Sequence, residues 1–223
     1  MSDPCIEALR ALGHELRRPL TVIRGASTLL VEDADALPAA SRQQMLAMID
    51  RSAAAMSDMV DDLLAAMHLG IGDLDHMIET IDLQALVDDA VESARHVDPD
   101  RTVRVGGTEG LEVQVDREHM LQALRAVLAN ALRYSPPDSP VEIVAGRRGD
   151  EVQLHILDRG PGIAAGQRER AFEKFTRLDP GSGGAGLGLY LARGLARGMG
   201  GEVSLADRDD GGTVVCITLR GCG

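Results

Sequence analysis

His14 and Glu15, in the run Gly13-His14-Glu15-Leu16-Arg17-Arg18-Pro19-Leu20, are the first residues with a chemistry to offer. An uncharged imidazole is a nucleophile, and an ordinary pKa of ~6.5 leaves much of it uncharged near neutrality. Further along, Asp158-Arg159-Gly160-Pro161-Gly162 follows a hydrophobic strand. A carboxylate at a strand end accepts a hydrogen bond from an amino group on a ligand, and the glycines allow backbone to approach a flat ring. The glycine-rich stretch 181–189 leads into a helix, where backbone N–H groups and the positive dipole end suit phosphate. It lacks the Lys-Ser/Thr ending of a P-loop and the strand context of a dinucleotide fold. Asn130 stands late in a helix ending Arg133-Tyr134-Ser135-Pro136. Its amide oxygen is a hard ligand suited to Mg²⁺, Arg133 is a cation for phosphate oxygens, and Tyr134 is a ring for a base. Taken singly, each residue also has an ordinary structural reading.

These groups need scaffolding. Leu9, Leu12, Leu16, Ile23, Ala26 and Leu30 are spaced by threes, fours and one double step, the seam of a helix that runs from near Pro4 to Glu32. At ~100° per residue His14 lies opposite that seam, in water beside Glu15. Pro19 removes an N–H and its ring opposes the carbonyl of Glu15, so a bend is expected beside the histidine. A turn over 33–38 precedes a second helix whose apolar positions are Met45, Ile49, Ser52, Met56, Met59, Leu63 and Met67. The two stripes predict a helical hairpin that leaves a wide apolar face, so two hairpins are expected to pair as a dimeric four-helix bundle.

The glycines in 69–75 mark a linker. Beyond it helices are expected from Asp82 onward, with Leu83, Leu86, Val87, Ala90 and Val91 as apolar positions, and over 117–134 and 186–199, with strands near 102–105, 111–115, 141–145, 152–157, 202–205 and 213–219. Segregated in this way, they predict an α+β two-layer sandwich, one sheet covered on one face by helices. The domains are therefore 1–69, a linker 70–81, and 82–223.

A formal charge of −12 repels phosphate backbones and excludes nucleic acid as a natural partner. The three cysteines, Cys5, Cys216 and Cys222, are scattered and odd in number, which points to a reducing compartment rather than to zinc or a disulfide framework. No apolar run approaches the ~20 residues of a membrane span, and the chain reads as cytoplasmic. His68, His76, His96, His119 and His155 show no ligand spacing and read as structural or surface residues.

In order, H-E-L-R-x-P-L, N-A-x-R-Y-S-P, D-x-G-x-G, Phe172-Glu173-Lys174-Phe175 and G-x-G-L-G-L resemble the sensor histidine kinases of two-component signalling, over nearly the whole chain. The resemblance implies a dimerisation and histidine-phosphotransfer domain followed by a GHKL-type ATP-binding domain. It implies that His14 is the phosphorylated residue and Glu15 the acid that orients it and takes its proton. It implies ATP and Mg²⁺ as cofactors, with Asn130 as the metal ligand, Arg133 at the phosphates and Tyr134 near adenine. Asp158 matches the carboxylate that reads the adenine amino group, with Gly160 and Gly162 in the same box. Residues 163–184 match the ATP lid, anchored by Phe172 and Phe175, with Arg177 placed for the γ-phosphate. Gly184, Gly186 and Gly188, with Leu187 between the last two, match the phosphate cradle. The implied reaction carries phosphoryl from ATP to His14 and on to an aspartate of a response regulator receiver domain, by a homodimer formed through 1–69.

Three departures qualify this expectation. Arg18 stands four residues after His14, where the family commonly has Thr or Asn to position water for dephosphorylation; a bulky, donor-only guanidinium predicts weak phosphatase activity. Ala126 stands four residues before Asn130, where Asn is usual, and a methyl group can neither bind metal nor act as a base. No sensory segment precedes the histidine helix, so the chain reads either as a catalytic core or as a partner of a separate sensor polypeptide. Ala126 keeps open a histidine-phosphotransfer or scaffold protein with a degenerate domain that does not use ATP. A serine-directed anti-sigma-type kinase accounts for the second domain but not for the hairpin.

Overall fold

The computed structural model describes residues 4–32, 37–72, 74–97, 100–179 and 185–222. Helix α1 (Pro4–Glu32) and helix α2 (Ala39–Ile71) pack together as the expected hairpin. Leu12 and Ala26 are buried and Leu16, Ile23 and Leu30 half-buried, whereas His14 is exposed. The 3.6-residue period thus puts the imidazole on the water side. Pro19 sits inside a continuous α1, and the Thr21 hydroxyl donates to the Arg17 carbonyl at 2.8 Å. Two helix-bending features are therefore adjacent. Of the positions expected in the α2 seam, Met67 is exposed; Ala65 and Ala66 are buried instead.

The second unit contains β1 (Glu79–Asp82), α3 (Leu83–Val97), β2 (Val103–Gly106), β3 (Glu112–Val115), α4 (Arg117–Tyr134), β4 (Val141–Arg148) and β5 (Glu151–Leu157). After a 3₁₀ turn come α5 (Arg168–Ala171), α6 (Gly188–Gly198), β6 (Glu202–Asp207) and β7 (Thr213–Arg220). Five strands form one mixed sheet in the order β2-β4-β5-β7-β6, parallel only between β2 and β4. Strands β1 and β3 form a separate antiparallel ribbon. Alternation places Val152, Leu154 and Ile156 of β5 in the core, where they join Ile143 and Ile217 under Met120, Leu124 and Leu128 of α4 and Leu195 of α6. This is the expected two-layer α+β sandwich.

Differences from expectation have local causes. Residues 70–81 include the end of α2 and most of β1, so they are not a simple linker. The helix continues through Gly70 because Leu69 packs on α6 where Gly194 has no side chain: a Cβ there would lie 2.6 Å from Leu69 Cδ1. That tertiary contact outweighs a glycine penalty of ~1 kcal/mol. Gly72 then ends α2 in the left-handed conformation, φ +70°, its N–H returning to the carbonyls of His68 and Leu69. Helix α6 begins at Gly188 rather than 186 because Gly186 has φ +69°. Residues 33–36, most of the expected hairpin turn, lie outside the described residues.

The hairpin docks on the sandwich. Gln122 Nε2 of α4 donates to Asp62 Oδ1 of α2 at 3.1 Å, and Lys174 Nζ donates to the Ala66 carbonyl at 2.9 Å. Burial raises the pKa of Asp62 to about 6, against the hydrogen bond from Gln122. The folded state therefore holds its proton more tightly than the unfolded chain, and this contribution to stability is present below pH ~4 and lost as pH rises through ~6. Asp62→Asn keeps an acceptor for Gln122 and cannot ionise. We expect it to stabilise the protein by about 1–2 kcal/mol more at pH 7.5 than at pH 4.5, read from paired chemical-denaturation curves. Equal effects at both pH values would show that Asp62 is ionised at no cost.

Candidate functional site

A cavity of about 330 Å³ opens between α4, the loop after β5, the segment 176–179 and the residues leading into α6. Its size suits a small-molecule ligand. Ala126, Asn130, Arg133 and Tyr134 line it from α4, and Asp158 and Gly162 from the end of β5. Arg177, Gly186, Leu187 and Gly188 complete the sandwich side, while Glu15, Met59 and Asp62 face it from the hairpin. Residues far apart in sequence are thereby brought to one hollow.

The Asp158 side is held by backbone. Its Oδ1 accepts from Gly160 N at 2.7 Å and from Thr213 N at 3.0 Å, and the residue is only 7% exposed. Among the described residues these bonds occupy Oδ1 and leave Oδ2 for a donor in the cavity. The loop is also tied to the end of α4: Arg159 N donates to Ser135 Oγ at 3.1 Å, and a Cβ on Gly160 would lie 3.0 Å from the Tyr134 carbonyl. Gly160 is therefore behind the cavity wall, where it lets the loop pass close to Tyr134. Gly212, at φ +113°, lets the β6–β7 turn pass against the Asp158 carbonyl, with no room for a Cβ.

The opposite wall is shaped by glycine. A Cβ on Gly186 would meet Thr176 O at 2.7 Å, and one on Gly188 would meet Asn130 Nδ2 at 2.7 Å and Ala126 O at 3.3 Å. Only glycine lets the start of α6 approach the Asn130 amide so closely. Backbone donors, a helix N-terminus, an amide oxygen and the Arg133 guanidinium together suit a phosphate chain with Mg²⁺. The donor set fits a nucleotide, with Asp158 at the far end for an amino group. Ala126, 8% exposed, adds no metal ligand. Gly184 lies outside the described residues.

The segment before α6 has two aromatic anchors with different destinations. Phe172, 8% exposed, enters the sandwich core, and the Arg193 guanidinium lies 4.3 Å above its ring. Phe175 is the one described non-glycine residue with positive φ, +65°. It packs with Ala65 and Ala66 of α2, Leu187 just before α6 and Leu191 of α6, so apolar contact with the hairpin holds a conformation that side chains disfavour.

His14 is not among the cavity residues, although Glu15 beside it is. Arg18 Nη1 is 3.9 Å from Glu15 Oε1, and the Arg18 side chain is 75% exposed. Sequence reasoning missed Met59, Asp62 and the Thr213 N–H. A residue on a helical stripe and a backbone donor carry no motif.

Residues 6–69 match the family model described as "His Kinase A (phospho-acceptor) domain", and residues 115–221 match "Histidine kinase-, DNA gyrase B-, and HSP90-like ATPase". The chain is 34% identical over 214 residues to sensor protein KdpD of Rathayibacter rathayi, covering 95% of this chain and 25% of that protein. It is 32% identical over 211 residues to sensor protein RstB of Escherichia coli strain K12, covering 92% and 46%. Thus it spans about a quarter to a half of the length of these curated relatives. Among solved structures, the mycobacterial sensor histidine kinase MprB aligns with TM-score 0.59 and 30% identity, over 65% of this chain and 98% of that one. Full-length ShkA in complex with AMPPNP aligns with TM-score 0.65 and 25% identity, over 97% of this chain and 46% of that one. A phosphoacceptor-type hairpin joined to this ATPase-type sandwich, with matches to both across the chain, places it among the sensor histidine kinases of two-component signalling.

Proposed function

We propose that the chain is an ATP-dependent protein-histidine kinase that phosphorylates His14 and passes the phosphoryl group to an aspartate of a response regulator receiver domain. The observation that carries this is the single cavity shared by Asn130, Arg133, Asp158 and the Gly186/Gly188 wall, with Glu15 of the His14 helix facing the same space. The AMPPNP bound in the ShkA structure supports the nucleotide assignment.

In this reading Asp158 Oδ2 accepts the adenine amino group and Tyr134 flanks the base. Arg133 and Arg177, the N–H groups at 186–188, and the segment containing Gly184 neutralise and orient the phosphates. Asn130 holds Mg²⁺, which supplies further charge neutralisation at the phosphate oxygens when bound. Phosphoryl transfer relies mainly on positioning and electrostatics. One ring nitrogen of His14 forms the new N–P bond as the β–γ phosphate bond of ATP breaks, and Glu15 takes the imidazole proton. Since His14 is outside the cavity, the sandwich must move along the hairpin to reach it. The exposed Leu20, Leu29, Leu46, Val60 and Leu64 support pairing of two hairpins as a homodimer through 1–69. Domain limits of 1–69 and 82–223 are part of the same reading.

The test is incubation of the purified chain with radiolabelled Mg·ATP. Acid-labile, alkali-stable label supports the kinase, and label with the stability of phosphoserine overturns it. Absence of both label and nucleotide binding favours the phosphotransfer scaffold, the reading that Ala126 supports.

Arg18 makes a separate prediction. A guanidinium cannot accept a hydrogen bond from an attacking water, and here it leans toward Glu15. Arg18→Thr is expected to raise dephosphorylation of the phosphorylated regulator about tenfold, the size of a modest general positioning effect. Strong phosphatase activity in the unsubstituted chain, left unchanged by Arg18→Thr, would contradict it.

A further inference from the structure

His76 comes from one segment, Asp116 and His119 from the start of α4, and the three converge outside the nucleotide cavity. His76 lies between α2 and β1, Asp116 caps α4, and His119 stands in its first turn. His76 Nδ1 and His119 Nδ1 are 3.0 Å apart, and His119 Nδ1 is 3.3 Å from Asp116 Oδ2. All three ligand atoms lie within 4.8 Å of one another. Two donors each ~2.1 Å from one cation and 90–109° apart are separated by about 3.0–3.4 Å, so both close separations, which are hydrogen-bond and ion-pair contacts without an ion, also match neighbouring ligands on a metal, and His76 and Asp116 have to lie within ~4.2 Å of each other when an ion is bound.

The cluster is also built from behind. Gly198, the last residue of α6, has no side chain where the His76 ring sits, and any Cβ there would overlap Nε2. That hollow seats the ring with Nδ1 toward His119; the rings meet edge to face at 83°, with centroids 4.8 Å apart. Asp116 is oriented by three bonds: Met77 N to Oδ2 at 2.8 Å, His119 N to Oδ1 at 3.0 Å, and its own N–H to Met199 Sδ at 3.2 Å. A carboxylate oxygen has a second lone pair, so the bond from Met77 leaves Oδ2 able to ligate.

We infer that His76, Asp116 and His119 form a binding site for a borderline divalent transition-metal cation, best matched by Zn²⁺. Two imidazoles and one carboxylate are ligands for that class, whereas Mg²⁺ prefers an all-oxygen shell. The site is independent of the proposed Mg·ATP chemistry. The bound ion ties the segment that follows α2 to the start of α4, and so restrains the connection between hairpin and sandwich.

Titration of the full chain with Co²⁺, in excess Mg²⁺, reports on this site through visible d–d absorption. We expect one equivalent of Co²⁺ to bind with an N/O-type spectrum, to be displaced by Zn²⁺, and to bind about a hundredfold more weakly in His76→Gln and in His119→Gln. Without metal both variants should unfold thermally like the unsubstituted chain. No Co²⁺ bands in the unsubstituted chain, thiolate charge-transfer bands, or equal affinity in both variants would overturn the site. Should His119→Gln fail to fold, His76→Gln decides alone, because its ring lies outside any helix or strand.

Discussion

Replacing His14 by Gln is expected to abolish acid-labile phosphorylation completely while nucleotide binding is unchanged. The two readouts separate because the structure separates the groups: the imidazole is exposed on α1 and does not line the cavity proposed for the nucleotide. Glutamine is a good helix former of similar polarity, so α1 and its buried Leu12 seam should be unaffected. Its carboxamide has no lone pair of comparable basicity, which removes the nucleophile outright. The measurement is radiolabel from Mg·ATP beside titration with a fluorescent nucleotide. Label that survives in His14→Gln, with the same chemical stability, would move the phosphate to another residue. Loss of label together with loss of binding would instead mean that the hairpin contributes to the nucleotide site through this face.

The second large effect is expected at Asp158. Asp158→Asn retains Oδ1, and with it the bonds from the N–H groups of Gly160 and Thr213 that fix the loop. It replaces Oδ2 by an NH₂ group, so in the proposed nucleotide pose a donor would face the adenine amino donor. Losing a charged hydrogen bond costs about 1.5–3 kcal/mol, which corresponds to a roughly 10- to 150-fold weaker Kd for ATP. Stability should change little, since both backbone partners remain satisfied. An affinity within twofold of the unsubstituted chain would show that Oδ2 does not meet the nucleotide. A nucleotide whose base presents an acceptor there should lose less, or gain, in the variant.

How much of this site was legible before the fold was known depended on the kind of residue. His14, Asn130 and Asp158 announce themselves because few side chains supply a nucleophile, a hard oxygen or an acceptor, and because each sits beside a helix or strand signal. Gly186 and Gly188 were legible as a phosphate-type loop, but the reason for Gly188 was not: it admits Asn130, which is 58 residues earlier. Asp62 gave no signal, since an acid on a helical stripe is ordinary until another domain covers it. His76 and His119 read as unrelated residues because their spacing fits no local ligand pattern; β1–β3 pairing and the packing of α6 bring them together.

By itself the sequence determined most of the elements and their polarity, though not β1 or α5. Period 3.6 in the hairpin and period 2 in β4, β5 and β7 follow from local geometry, and they set which face is buried and that His14 stays in water. Pairing across long separations was decided only in three dimensions. Where α2 stops, how Phe175 is held at positive φ, and that Glu15 and Asp62 face the same cavity as Asp158 all depend on contacts between distant segments. Local propensity is worth tenths of a kcal/mol to ~1 kcal/mol per residue, and burial of a single apolar side chain outweighs it. That is why Gly70 is helical here, and why the site's second wall could be seen only after the two domains had met.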